Sequence, residues 1–209
     1  MATVLKRPNP VCRPAQGDIY TDISVPIVGQ VEINAQGETE VLEADIIVLD
    51  YVVVLSQECD LEQDYTDRER AIDVHDKYVQ TVLIAPAYLA ENLRAGEHLA
   101  ASLGQKMQKI NSDMWKIIKN NKNERYHFID ACVELNVPEL VIDFKHMYTL
   151  SRTYFYQSVL AKKYYASLAY LSRELLSQRF CNFLSRIGLP DKIDELDAHF
   201  CAMRSATSI

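Results

Sequence analysis

Five polar residues, Ser56-Gln57-Glu58-Cys59-Asp60, come directly after the most apolar stretch of the chain. That stretch, Ile46–Val48 and Tyr51–Leu55, is β-branched and apolar almost throughout, which predicts a strand buried on both faces. Side chains at the end of a rigid strand are held in fixed positions, and sites often lie there. The candidate catalytic residues are therefore Ser56, Cys59 and Asp60, together with His75 farther along the chain.

Cys59 can be interpreted in three ways. It is a candidate nucleophile, with His75, His127 or His146 as its base. The neighbouring carboxylates of Glu58, Asp60 and Glu62 would raise the thiol pKa, which opposes activation. Cysteine is also a common small residue of protein cores. The structural interpretation is favoured, and a catalytic or redox role and a metal-ligand role remain alternatives.

The acidic segment 58–76 begins like a calcium loop, with Asp60, Glu62 and Asp64 at alternate positions. An EF-hand needs Gly where Tyr65 stands and a bidentate Glu where Ala71 stands, so that motif is rejected. A looser Mg²⁺ site is less favoured than a solvated acidic loop. His127 and Cys132 can join Cys59 as zinc ligands only with a spacing that fits no known finger. We therefore predict no metal and no cofactor.

Basic residues on a predicted helix are the candidate nucleic-acid contacts. The spacing of Lys106, Lys109, Lys116 and Lys119 places them on one helical face, with Trp115 nearby. Lysines interleaved with aromatic residues can hold RNA by phosphate contacts and stacking. The alternative is a solvated face, or one that faces the acidic loop. The net charge of −7 disfavours non-specific binding of polyanions.

Composition predicts a globular cytoplasmic protein. The 209 residues are 48% hydrophobic, which is enough for a sizeable core. No apolar run approaches the roughly 20 residues that span a bilayer, and the first residues lack the apolar region of a signal peptide. The five scattered cysteines are typical of reduced thiols. We expect no membrane association.

Hydrophobic periodicity predicts an α+β fold with strands around inserted helices. Residues 1–16 are an extended N-terminal arm. Residues 17–155 form a β-barrel domain with a helical hairpin at about 87–121, and residues 156–209 form a helical segment packed on the barrel. The segment 58–76 is predicted to be a solvated loop, with one helical turn in it as an alternative, and Asn34–Gly37 is the turn of a hairpin.

The apolar stripe of 157–187 predicts one helix of about 46 Å at 1.5 Å per residue. Such a helix is longer than a small barrel is wide, so part of it should face another subunit or a protein partner. Tyr165 and Leu176 are the predicted interface residues, in a homo-oligomer or a heteromeric complex.

Three segments occur in order along residues 17–86: Gly17-Asp18-Ile19-Tyr20, Val52–Ser56 and Thr81–Pro86. Together they resemble the MazF/PemK family of small toxins, which implies an SH3-like barrel and cleavage of single-stranded RNA. That family has an arginine before its second strand and a hydroxyl residue after its third. Residues 45–51 contain no Arg or Lys, and Ala85-Pro86-Ala87 contains no hydroxyl. The resemblance therefore implies the barrel without the catalytic residues.

The Ser56–Asp60 segment, with Arg179-Phe180 and Ser185–Pro190, also resembles a group of bacterial proteins associated with phage defence. This second resemblance implies a biological setting and no reaction. We predict a non-catalytic accessory or interaction protein of a bacterial toxin–antitoxin or phage-defence system. A MazF-like endoribonuclease, with RNA as its partner, and a Cys59-centred hydrolase are the alternatives.

Overall fold

The computed structural model describes residues 3–33, 37, 39–71 and 73–186, without the side chains of 28–32 and 39–44. The protein is α+β, as predicted, with a curled antiparallel sheet that forms a half-barrel and several helices. The predicted hairpin turn at 34–37 lies largely outside the described residues, as does 187–209 of the predicted C-terminal helical segment.

In the described part of the chain the sheet has eight strands, and all of its pairs are antiparallel. Along the sheet the order is β1-β8-β2-β3-β4-β6-β5, and β7 pairs with β4 beside this path. The strands are β1 (Val4–Leu5), β2 (Asp18–Ile33), β3 (Thr39–Val54), β4 (Thr81–Leu89), β5 (Tyr126–Ile129), β6 (Leu140–Asp143), β7 (Tyr148–Ser151) and β8 (Tyr164–Leu168).

The apolar run of β3 is buried on both faces only in its second half. Val53 and Leu55 pack in one core cluster, and Val52 and Val54 pack in a second cluster on the other face. In the first half, Ile46 and Val48 are 70% and 54% exposed. The prediction of burial on both faces is therefore confirmed for Val52–Leu55 and is wrong for Ile46–Val48, where one face of the strand is open.

The sheet divides at Pro86 in the middle of β4. The first part of β4 pairs with β7 and β3, and Ala87–Leu89 pair with β6 instead. Proline has no N–H to donate to a strand ladder, so it is found where pairing ends or changes. Because β4 leaves β3 at this point, β3 pairs with it only at Val52–Val54, and a groove opens beyond.

The helices are mostly short: α1 (Glu58–Glu69), α2 (Ala90–Ala95), α3 (Ala100–Leu103), α4 (Ser112–Lys119), α5 (Arg152–Tyr154) and α6 (Tyr170–Leu184). The acidic segment 58–76 was predicted to be a loop, and its first part is α1 instead. Asp64 explains this difference, because its buried carboxylate accepts hydrogen bonds from Arg68 and Arg152. The predicted hairpin at 87–121 is three helical pieces, α2 to α4.

The predicted helix at 157–187 is wrong over its first half. Residues Phe155–Val159 form a π-helical turn, and Tyr164–Leu168 are strand β8, so the helix begins at Tyr170. Strand β8 pairs with both β1 and β2, and these long-range hydrogen bonds override the helical spacing of the apolar residues. Within the described ranges, no helix has the length and apolar character needed to cross a membrane.

Candidate metal centre

Two histidines and an aspartate from separate segments meet beside the division of the sheet. Asp143 is the last residue of β6, and His146 lies in the short connection to β7. His98 lies in the connection between α2 and α3. One potential ligand atom from each of the three residues lies within 4.8 Å of the other two. The centre thus joins the sheet to the helical insertion.

Gly96 shapes the segment that carries His98. Its φ of +79° lies in the left-handed region, which ends α2 at a residue without a Cβ. A Cβ at this position would lie 2.3 Å from the carbonyl oxygen of Met107. The close approach is fixed by the hydrogen bond from the Met107 N–H to the Gly96 carbonyl, at 2.9 Å. The chain can therefore fold tightly here and turn His98 toward β6.

The Asp143 carboxylate is fully buried and is held by Arg125. The Arg125 guanidinium donates through Nε to Oδ1 at 2.8 Å and through Nη2 to Oδ2 at 2.5 Å. The backbone N–H of Lys145 donates to Oδ1 at 3.0 Å. Oδ1 thus has two donors, whereas Oδ2 has one donor and faces His146 Nδ1 at 3.5 Å. Oδ2 keeps the capacity to bind a cation.

His146 is oriented by a second contact, with the phenol of Tyr88. The Tyr88 oxygen lies 3.1 Å from His146 Nδ1. Burial raises the pKa of Tyr88, so the phenol stays protonated, and burial lowers the pKa of His146, which favours the neutral imidazole. In the tautomer with its proton on Nδ1, the ring donates to Tyr88 or Asp143 and leaves the lone pair of Nε2 free.

His98 is the least satisfied member of the centre. Both of its ring nitrogens are buried and have no hydrogen-bond partner in the protein. Burial lowers the pKa of His98 to about 4, with the nearby Asp143 opposing and His146 reinforcing the shift. The ring is therefore neutral at physiological pH and carries a free lone pair. Buried polar groups without partners are rare, and a bound ligand is one explanation for them.

Two clefts meet at His98. The first has a volume of about 330 Å³ and runs along Ile46–Tyr51 of β3, with Pro86–Leu89 of β4 at its base. Its far wall is formed by Asn92, Ala101 and Ser102. The second, of about 520 Å³, is lined by Arg125, Lys109 and the neighbouring loop before α4. His98 is thus reached from two sides, whereas Asp143 and His146 are not among the described lining residues of either cleft.

Of the four residues predicted as catalytic, only the sequence neighbours Cys59 and Asp60 are in contact within the described part of the chain. The Ser56 hydroxyl accepts a hydrogen bond from the Leu83 N–H at 2.8 Å, which ties it to β4. His75 is exposed and stacks on Tyr78. Asp60 is exposed in the first turn of α1.

Cys59 is exposed beside Asp60, so the favoured prediction of a structural core cysteine is wrong. The strand ends before Cys59, and the first turn of α1 points its thiol toward solvent. Among the described residues, its sulfur hydrogen-bonds to side chains one and two positions away in sequence, Asp60 and Gln57, each at 3.6 Å.

The predicted nucleic-acid face is not one helical face. Lys106 and Lys109 lie in the loop between α3 and α4, whereas Lys116 and Lys119 lie on α4. Lys119 pairs with Glu139 at 2.8 Å. Trp115 is buried against Phe128, so its ring is not available to stack on a base. Gly104, in the left-handed region, ends α3 before Lys106, and α4 begins only at Ser112, so Lys106 and Lys109 lie outside both helices.

The two predicted interface residues, Tyr165 and Leu176, differ in how deeply they are buried. Leu176 is fully buried in the protein's own core, so its placement at a subunit contact is wrong. Tyr165 is half-buried and packs edge-on against Tyr51. This error has the same cause as the wrong prediction of one long helix. Because residues 164–168 form strand β8, the apolar side chains of 157–186 do not lie along one continuous helical stripe.

The candidate metal centre was not identified from the sequence, although His146 was considered there as a base for Cys59. Its three residues are separated by 45 and 3 positions, and no finger-like spacing marks them. The one local signal was the break in helical periodicity near Gly96, two residues before His98. Comparisons with protein-family models, with curated proteins and with solved structures found no match to the chain.

Proposed function

We propose that the protein is a metal-dependent hydrolase whose ion is bound by His98, Asp143 and His146. The observation that carries this proposal is the convergence of two neutral imidazoles and a carboxylate within 4.8 Å. Imidazole nitrogen and carboxylate oxygen form the ligand set of zinc, with bonds of about 2.0–2.2 Å. With such bonds, tetrahedral ligand atoms lie about 3.4 Å apart, so the ligand atoms, which lie within 4.8 Å of one another, must approach by up to about 1.4 Å. His98 lies in a connection between two short helices, where such a movement is easiest.

Three protein ligands leave one coordination position open, which is typical of catalytic and not of structural zinc sites. The surrounding contacts fit the same interpretation, because ligand side chains are usually oriented by further hydrogen bonds. Here Arg125 orients Asp143, and Tyr88 orients His146.

His98, Asp143 and His146 would hold the ion, and a metal bound there would lower the pKa of a water molecule, so that its oxygen could add to an electrophilic carbon while the bond to the leaving group breaks and the leaving group takes up a proton. His98 lines both clefts, so a substrate could approach it from either side.

Zinc binding tests the proposal directly. We expect the metal-free protein to take up one Zn²⁺ per chain, measured by competition with a chromogenic chelator and by elemental analysis. His98→Ala and His146→Ala each remove a ligand and should weaken binding at least about 100-fold. His75→Ala removes an exposed histidine outside the centre and should leave the affinity unchanged.

Bound zinc at 100 times its dissociation constant should stabilise the wild type by about 2.7 kcal/mol. It should stabilise His98→Ala far less. Absence of stoichiometric binding of zinc, manganese, iron and cobalt would refute the proposal.

A second proposal is the interaction function predicted from sequence, in a toxin–antitoxin or phage-defence setting with an SH3-like barrel of MazF type. The observation that favours it is an apolar patch on α6, where Leu171 and Leu175 are 60% and 43% exposed. These residues are four positions apart and therefore adjacent on the helix. The Cys59-centred hydrolase and the ribonuclease are less favoured, given the solvent-facing thiol and the dispersed lysines.

The double variant Leu171→Asp, Leu175→Asp tests this second proposal. We expect it to sediment as a monomer, while the wild type at tens of micromolar sediments as an assembly larger than 23.9 kDa. Circular dichroism should stay native, because both side chains are exposed. The matched variant Lys106→Asp, Lys116→Asp changes two exposed residues outside α6 and should keep the assembly. A monomeric wild type would contradict self-association.

A further inference from the structure

The first cleft follows the edge of β3 and not one of its faces. A surface over one face of a strand contacts every second residue, because side chains alternate. The cleft contacts six consecutive residues of β3, Ile46–Tyr51. It therefore runs beside the backbone of the strand.

This edge of β3 is open. On its other side, β3 pairs with β2 along most of its length, including Tyr51, Leu49 and Ile47. On the cleft side, the described residues include a pairing partner only for Val52–Val54, before β4 turns away at Pro86. Unpaired N–H and C=O groups along a strand edge are a template for another extended chain.

The charge of the cleft indicates which class of extended polymer can bind there. Among the described residues that line the cleft, Asp50 is the only one with a full charge, and none is a Lys or an Arg. The whole chain has a net charge of −7. A polyphosphate backbone would be repelled by this surface, whereas a peptide with a basic side chain near Asp50 would be attracted.

We propose that the substrate of this site is an extended basic peptide that adds as a strand to the open edge of β3 and passes His98. This inference rests on the proposed hydrolase function, because it places the peptide chain beside His98, the candidate ligand that lines the cleft. Backbone pairing supplies affinity in such complexes, and pockets for alternate side chains supply selectivity. The exposed side chains of Ile46 and Val48 flank the path of the peptide.

Helix α3 forms the far wall and must move when the peptide binds. Its Cα atoms come within 8 Å of those of β3, whereas a paired strand lies about 4.8 Å from its neighbour. None of the four residues of α3 is buried, so the helix is weakly held. The side chains that face the cleft, Ala101 and Ser102, are small. An outward shift by about one strand spacing therefore opens the cleft at little cost.

The test uses a library of blocked octapeptides, with one position at a time fixed to each amino acid, and the zinc-loaded protein. Mass spectrometry detects cleavage, and fluorescence polarisation detects binding to the metal-free protein. We expect selection for Lys or Arg at one position. Asp50→Lys should abolish that selection, whereas Asp113→Lys, at an exposed site on α4, should keep it.

A matched pair on α3 tests the location. Ala101→Trp fills the cleft and should weaken peptide binding at least tenfold. Ala100→Trp adds the same side chain on the same exposed turn outside the cleft and should change binding less than twofold. Both variants should bind zinc like the wild type. N-methylation of alternate backbone amides of a selected peptide should abolish binding, and methylation of the intervening amides should not.

The outcomes separate this inference from the hydrolase proposal. Zinc binding without selection of any peptide would overturn the peptide inference and leave the metal site standing. Peptide binding without zinc binding would overturn the hydrolase proposal. Preference for single-stranded oligonucleotides over all peptides, or pairing of two copies through β3 that excludes peptides, would also overturn the inference.

Discussion

Replacing Asp18 with alanine should destabilise the protein by about 3–5 kcal/mol, because it leaves a guanidinium without its buried partner. Asp18 is fully buried. Arg7 donates to both of its oxygens, at 2.9 and 2.6 Å, and the Ser167 hydroxyl donates to Oδ1 at 2.5 Å. The Ala15 N–H adds a fourth hydrogen bond, at 2.8 Å. One carboxylate thus joins the N-terminal segment, β2 and β8.

Urea unfolding followed by circular dichroism measures this effect. Asp113→Ala is the control, since that aspartate is 93% exposed on α4, and it should leave the denaturation midpoint unchanged. Arg7→Met removes the other partner and should also destabilise. The double variant should be more stable than the sum of the two losses predicts, because neither charge is then buried alone. A loss below 1 kcal/mol for Asp18→Ala would contradict the prediction.

Local patterns predicted the strands better than the helices. The apolar run Val52–Leu55 and the run before Pro86 could be assigned because nearly every residue is apolar, which only a strand buried on both faces requires. Tyr164–Leu168 could not be assigned, since its apolar residues fit a helical period equally well. Its pairing with β1 and β2 joins residues about 150 positions apart, and no local pattern records such a contact.

The candidate metal centre could not be predicted either, because it too depends on contacts between distant parts of the chain. Ser56–Asp60 follows a strand as expected, but its side chains serve the fold or face solvent. Glu58 accepts from the Gln16 N–H and pairs with Arg13, so it anchors the start of α1. His98 is a candidate metal ligand only because Asp143 and His146 lie close to it. Those depend on the division of the sheet at Pro86, which the sequence marks only as the end of a strand.

Burial of His127 should make the folding stability of the protein strongly dependent on pH, with a large loss in acid. His127 lies on β5 and is 2% exposed, and its Nδ1 has no hydrogen-bond partner. Burial and, to a smaller extent, the nearby positive charge of Arg179 together lower its pKa to about 3. In the unfolded chain the pKa of histidine is about 6.5.

Between pH 6.5 and 3 the unfolded chain therefore binds one more proton at this site than the folded protein does. Stability from the neutral ring is fully present above pH 6.5 and is lost as the pH falls, by about 1.4 kcal/mol per pH unit. At pH 5 the loss is about 2 kcal/mol. The His127→Gln variant has no titrating group at this position. Between pH 7 and 5 its unfolding free energy should therefore fall by about 2 kcal/mol less than that of the wild type.

Urea unfolding of both proteins at pH 7, 6 and 5 gives the comparison. His98 and His146 titrate in both proteins and cancel in the difference. His75→Gln is the matched control, since His75 is exposed, and it should show the pH dependence of the wild type. His127→Gln is expected to be less stable than the wild type at pH 7, where the ring packs near Phe144, and to lose this disadvantage on acidification. Parallel pH profiles for the wild type and His127→Gln would show that the folded protein accommodates a charged His127, contrary to the buried, unpartnered position of its ring.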